Sequence, residues 1–202
     1  QEKVLPAYLT EKESSALIEA PINEEDFEEV RDRLIVETFY ETGMRRSELA
    51  GLQTTDVRLD EHVIRVLGKG NKERIIPFGS RLAEKMKQYL ALRNKEVGNC
   101  QFFFVTLESQ PMGVARVYKV VHKLLEQIPG LARKGPHVLR HSFATDMLNE
   151  GAELTAVKEL LGHSSLSTTV RYTHTTFKEL QQMYHAHPRA QTEDKKMEVR
   201  IQ

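Results

Sequence analysis

The 202-residue chain holds one cysteine, Cys100, so no internal disulfide can form and a reducing compartment suits it. Cys100 itself reads as a small buried hydrophobe. No apolar run approaches the length of a transmembrane helix. The start, Gln1-Glu2-Lys3-Val4-Leu5-Pro6, has no basic-then-apolar signal pattern. It also lacks an initiator methionine, which reads as a fragment of a longer protein. Together these absences point to the cytoplasm and away from a membrane. Net charge is absent too, with 29 basic residues against 29 acidic. At first that argues against a nucleic-acid partner.

What is present reverses that impression. Residues 1–50 carry 6 basic and 13 acidic side chains, whereas residues 51–150 carry 16 basic and 10 acidic. Between Arg65 and Arg140 the count is 15 against 5. Charge segregated in this way can turn a basic face to phosphate while the opposite face stays acidic. Solvated helix faces are the plainer reading of the same pattern. A hydrophobic content of 40% and a charged content of 29% describe a soluble globular chain, long enough for one domain with a real core.

Periodicity predicts a mostly helical fold with a small antiparallel sheet. Thr10-Glu11-Lys12-Glu13 has capping-box chemistry, so a helix should run from there to about Ala20, before Pro21. Asn23 is expected to cap a second helix that Gly43 stops, with Arg45 and Arg46 at the break. A short helix follows through Leu52. The period then changes to two over His62–Leu67 and Arg74–Phe78, joined by Gly68-Lys69-Gly70-Asn71-Lys72, which is hairpin chemistry with Lys69 at the tip. Ser80 is expected to cap a helix through Val97, and Phe102–Val105 to be a strand or a buried loop. Further helices are expected over Val114–Ile128, His137–Asn149 and Thr155–Leu161, the last with Gly162 at its C-cap. Ser167 should cap a helix bearing Tyr172, with a final helix over Phe177–Tyr184. From Gln191 the polar composition reads as a disordered tail.

The residues that carry chemistry are two arginines, two histidines, a lysine and a tyrosine. A free phenol has a pKa near 10, so at pH 7 about one in a thousand is ionised, a deficit of about 4 kcal/mol. Neighbouring cations or a base must offset that before it can attack phosphorus. Arg45 and Arg140 would clamp the phosphodiester, since a guanidinium fork matches two phosphate oxygens and keeps its proton. His137 and His163 would donate to the same phosphate, with His137 also able to help accept the phenol proton. Lys69 would protonate the departing sugar oxygen, and Tyr172 would be the nucleophile. Lys72 is the rival to Lys69 and is better suited to the DNA backbone, as is Arg74. Arg46 and Arg171 are open between phosphate contact and solvated surface. His137 and His141 have the spacing of a metal pair, but no third ligand presents itself; His141 reads as a support to the site or a helix-packing residue.

These motifs occur in a fixed order. They are Thr42-Gly43-Met44-Arg45-x-Ser47-Glu48-Leu49, then Gly68-Lys69-Gly70-Asn71-Lys72-Glu73-Arg74, His137-x-Leu139-Arg140-His141, Leu161-Gly162-His163, and Tyr172-Thr173-His174. Arg45 and Lys69 are 24 residues apart, His137 and His163 are 26, His163 and Tyr172 are 9. In this combination the chain resembles the catalytic domain of the tyrosine recombinases, the phage-integrase-like family, over residues 4 to 190. It is most similar to the bacterial Xer type, including the ending His185-Ala186-His187-Pro188-Arg189-Ala190.

The resemblance implies the α+β catalytic fold shared with type IB topoisomerases. It implies strand exchange on a double-stranded recombination site through a covalent 3′-phosphotyrosine, with no metal and no cofactor. It places Glu48 in support of the arginines and has the enzyme working as a tetramer on DNA. A paralogous recombinase and a septal DNA translocase are the further partners of a chromosome-dimer resolvase active in chromosome segregation and cell division. On this reading residues 1–190 are the catalytic domain and 191–202 a tail, and the family's N-terminal DNA-clamping domain is missing. Two other readings stand beside it: an integrase or transposase of a mobile element, which shares the motifs, and a non-catalytic module built on a helix-turn-helix outline over Thr155–Tyr172.

Overall fold

The structure is a computed structural model that describes residues 8–68, 73–162, 181–182, 184–185 and 187–189. The capping box at Thr10 forms as its residues dictate: the Thr10 hydroxyl accepts from the Glu13 amide, and the Glu13 carboxylate accepts from the Thr10 amide at 2.8 Å. Helix α1 spans Glu11–Glu19. Helix α2, Phe27–Thr42, is capped by Asp26 and not by Asn23; one Asp26 oxygen accepts from the amides of Glu28 and Glu29. Asn23 is used one turn earlier, where its side chain accepts from the Glu25 amide. A short carboxylate two residues before the first free amides reaches them directly, which an amide five residues back cannot.

Helix α2 is the centre of the molecule and packs against α1, α4 (Ser80–Glu96), α5 (Gly113–Leu125) and α6 (Pro136–Asn149). Nearly every residue from Arg31 to Thr42 is buried. It ends at Gly43, whose φ of 60° lets its amide close back on the Phe39 carbonyl. A Cβ there would sit 2.4 Å from a Phe143 ring carbon, so the position excludes any other residue on two counts. Helix α3, Arg46–Ala50, follows at once.

The sheet is an antiparallel meander of β1 (Val57–Arg58), β2 (Val63–Leu67) and β3 (Glu73–Pro77). β2 and β3 are close to the expected hairpin; β1, two residues long, is too short to show a period. Ile64 pairs with Ile76 and Val66 with Arg74, and all four side chains are buried. Gly79, without a side-chain cap, precedes α4, and Ser80 is the first helical residue. Phe102–Val105 is a buried loop pinned by the Arg93 guanidinium, which donates to the Phe102 and Phe103 carbonyls.

A second, smaller apolar cluster seats α7, Leu154–Leu161, on α6: Phe143 and Met147 meet Val157, Leu160 and Leu161. Beyond it the described part of the chain's end packs on α2. The His187 ring stacks 5.5 Å from Phe143 and 5.7 Å from Tyr184. Arg189 binds Glu41 at 2.9 Å and Glu37 at 3.1 Å. Among the described residues no helix is long and apolar enough to cross a membrane, and no group of three His, Cys, Asp or Glu is placed to hold a metal. The expected helix bearing Tyr172, the start of the one over Phe177–Tyr184 and the tail lie outside the described residues, while Gln181, Gln182 and Tyr184 are helical.

Candidate active site

Arg45 is the residue before α3, in extended conformation, and Glu48 is three residues on. That spacing brings the carboxylate back to the helix start. Glu48 accepts from the Arg45 amide at 2.7 Å and from its guanidinium at 3.0 Å. Arg74 closes on the same carboxylate from β3 with two parallel bonds, 2.6 and 2.9 Å. One carboxylate therefore orients two arginines from two elements. Burial alone would raise the Glu48 pKa, but the bonds and charge of Arg74, with those of Arg45, outweigh it and hold Glu48 below the usual carboxylate range.

Helix α6 supplies the third arginine. Arg140 lies one turn after His137, so the two share a face. Its guanidinium donates to the carbonyls of Gly43 and Leu161. Burial, then the charges of Arg45 and Arg74, lower its pKa to about 10, which leaves it protonated at neutral pH.

The end of α7 ties the three together. Arg74 donates to the Leu160 carbonyl at 2.8 Å, Arg140 to Leu161 at 2.8 Å and Arg45 to Gly162 at 2.6 Å. The last carbonyls of a helix have no partner within it and carry its negative pole, so cations are favoured there. Gly162 has a φ of 69°, and a Cβ on it would lie 3.0 Å from Arg74 and 3.2 Å from Arg45. Only glycine admits so close an approach of the backbone to the guanidinium groups.

Among the described residues, three guanidinium groups thus lie near one carboxylate, two of them bonded to it. Glu48 is 4% exposed and Arg74 6%, but the Arg45 side chain keeps 34% exposure. His137 is exposed at the start of α6. The arrangement presents surplus positive charge with exposed hydrogen-bond donors at its edge, which is what an oxyanion needs.

The structure brings Arg45, Glu48 and Arg140 to the same end of α7. Arg74 is a correction. Expected on the DNA backbone, it is buried beneath Glu48 because it shares the inward face of β3 with Ile76, two residues on. The alternation with Ile76 was the signal for this. His141 is exposed and packs its ring 5.5 Å from Tyr8, a contact with the chain's start and not with the arginines. The Gly43, Leu160, Leu161 and Gly162 carbonyls, which steer the arginines, left no side-chain signal to read. Lys69, Lys72, His163, Arg171 and Tyr172 lie outside the described residues.

The phage integrase family model matches residues 7–179. The chain is 43% identical over 195 residues to tyrosine recombinase XerC of Pelobacter propionicus, covering 95% of this chain and 63% of that protein. It is 42% identical to tyrosine recombinase XerC of Staphylococcus carnosus, covering 96% of this chain and 66% of the relative. The chain thus spans somewhat less than two thirds of these relatives' length. Among solved structures it is similar to the XerH site-specific recombinase in its post-cleavage complex with a palindromic difH substrate. The TM-score is 0.71 at 26% identity, over 92% of this chain and 55% of that one.

Proposed function

The chain belongs to the phage integrase family, and from that premise we propose that it is the catalytic part of a site-specific recombinase that cuts and rejoins DNA strands. The observation that carries this reading is the convergence of Arg45, Arg74 and Arg140 on one helix end, with Glu48 bonded to the first two and the Arg45 side chain still 34% exposed.

In the proposed reaction Arg45 and Arg140 hold the scissile phosphodiester, and His137 and His163 donate to its oxygens. The Tyr172 oxygen attacks phosphorus, and His137 helps to take the phenol proton. The bond to the 5′-oxygen breaks, and Lys69 gives that oxygen a proton. A 3′-phosphotyrosine results. The 5′-hydroxyl of another strand then attacks it and releases Tyr172. Glu48 and Arg74 act by holding the clamp in place, and Lys72 meets the DNA backbone. Residues 1–190 form the catalytic domain on this reading, and 191–202 a tail.

We further propose an Xer-type role in chromosome-dimer resolution in the cytoplasm. The enzyme would act as a tetramer on a recombination site, with a paralogous recombinase and a septal DNA translocase as partners. What supports this over a mobile-element role is the 42–43% identity to the two XerC proteins.

The test uses duplexes of candidate sites nicked beside the scissile bond, which trap the covalent intermediate. Wild-type protein should give a protein–DNA band that survives denaturant, and Tyr172→Phe should give none while still binding. An adduct from Tyr172→Phe would remove Tyr172 from its role.

A further inference from the structure

The residue after Arg45 is also an arginine, and the site described above does not use it. Arg46 is the first residue of α3 and is half-buried. Its guanidinium carbon lies 5.5 Å from the centroid of the Tyr118 ring, on α5. Among the described residues Arg46 forms no ion pair and no hydrogen bond. Its neighbour Arg45 in contrast spends one donor on Glu48 and one on Gly162.

Tyr118 is held in place from the other side. A Cβ on Gly135 would lie 3.0 Å from Tyr118 Cε2. Gly135 has φ −150° and ψ 175°, extended backbone that any residue adopts. A side chain there would press on the tyrosine ring, which would have to give by a few tenths of an ångström. Gly135 precedes α6 and stands two residues before His137. The ring is thus wedged between the starts of α3 and α6, the two helix starts that carry Arg45 and His137. It is still 40% exposed.

A cation resting on an aromatic face is stabilised without using its N–H groups, which lie in the guanidinium plane. Arg46 is therefore pre-oriented, with its donors uncommitted, one residue from the proposed clamp. The surroundings have the same sign: α5 carries exposed Arg116, Lys119 and Lys123 and no carboxylate along its length. We propose that Arg46, presented by Tyr118, grips a DNA phosphate neighbouring the one that Arg45 holds. This rests on the reading of DNA as substrate and adds a backbone contact to it. Arg46 is a binding residue on this view, and Tyr118 its positioning residue.

Phosphate contacts are independent of sequence, so a short labelled duplex of mixed sequence is a sufficient probe. Its affinity is measured across a salt series for wild type, Arg46→Ala, Arg46→Lys, Tyr118→Phe and Tyr118→Ala, with Lys95→Ala as a control on α4. Melting temperatures confirm that each variant folds. Loss of one phosphate contact flattens the slope of log affinity against log salt by about one, and at low salt Arg46→Ala should bind about tenfold more weakly. Arg46→Lys should keep the slope, since the charge remains, and lose part of the affinity, since the fork does not. Tyr118→Ala should weaken binding several-fold at unchanged slope, and Tyr118→Phe, which keeps the ring, should restore it.

On nicked duplexes the loss in Arg46→Ala should be carried mainly by the DNA concentration needed for half-maximal adduct. A wild-type slope in Arg46→Ala, or a defect confined to the adduct rate at saturating DNA, would overturn the proposal. Failure of the wild type to bind duplex at low salt would overturn the DNA reading along with it, so the two failures are told apart.

Discussion

Two clusters of arginine and glutamate flank α2 and differ in one respect. At its C-terminal end Arg45, Arg74 and Arg140 gather around Glu48. Along its body Glu37 and Glu41 receive Lys85 and Arg189, at 2.6 to 3.1 Å. Both are buried or nearly so, and both join elements far apart in sequence. In the second each buried carboxylate meets a cation, Lys85 on Glu37 and Arg189 across Glu37 and Glu41, with Glu19 3.7 Å from Arg189, and the result anchors Arg189 to α2. In the first, among the described residues, three guanidinium groups lie near one carboxylate and only Arg45 and Arg74 bond to it. Ion pairing is common to both and so does not mark a site. The uncompensated charge does, because the protein bears its cost only where a ligand cancels it.

The sharpest way to break this comparison is to remove one arginine from each cluster. Arg189→Ala leaves Glu37 with Lys85 and Glu41 with the Tyr184 hydroxyl, both buried, and stability should fall by about 3–5 kcal/mol in denaturant unfolding. The rate of covalent capture should change little where the variant remains folded. Arg140→Ala should do the reverse: a loss of about 10²–10³ in capture rate, the scale for one charge-stabilising group, with a smaller loss of stability. If the Arg189 variant is the one that abolishes capture, the division into anchor and site fails.

A smaller effect is expected at Gly162. Alanine there must hold a φ of 69° and push against Arg74 and Arg45. A loss of about 1–2 kcal/mol should appear in thermal melts, together with slower capture. The matching substitution at Gly98, also at positive φ but with nothing near it, should show the backbone cost alone.

The smallest effect is a pH dependence of the anchor. Burial, then the charge of Arg189, pushes His187 down to about 3 from 6.5. Between those values the unfolded chain takes up a proton that the folded chain does not. His187 therefore subtracts stability as pH falls below about 6.5, by at most about 1.4 kcal/mol per pH unit. Glu41 acts in the opposite sense. Burial, then Glu37, pushes it up to about 7 from 4.5, so over that window it subtracts stability as pH rises. In wild type the two slopes oppose each other. Replacing His187 with Phe among its aromatic neighbours should lift the acid limb, so that the variant gains on wild type steadily from pH 7 to pH 5. A constant difference across that range would show that His187 is not held neutral.

Much of the site was legible because its signals are local. Gly43 and Gly162 stop helices, Glu48 stands three residues after Arg45, and Arg140 stands one turn after His137; each rule operates within a few residues. The misreadings lie where partners are distant. Sequence places Arg74 on the DNA backbone, yet its partners are Glu48, 26 positions back, and the Leu160 carbonyl, 86 positions on. His187 and Arg189 sit in a polar stretch and are buried because Tyr40, Phe143 and Tyr184 surround the His187 ring and Glu37 and Glu41 on α2 receive Arg189. Such burial is decided by what waits on the other element, and hydropathy along one segment does not report it. Asn23 and Ser80 show a milder failure: several residues near a helix start can cap it, and geometry chooses among them.

The three consecutive carbonyls at the end of α7 work like the teeth of a key, each entering a different lock. Adding or deleting a single residue within that helix would turn its end by about 100° and hand every tooth to the wrong guanidinium. The length of Leu154–Leu161, more than its outward letters, therefore sets which guanidinium each carbonyl meets.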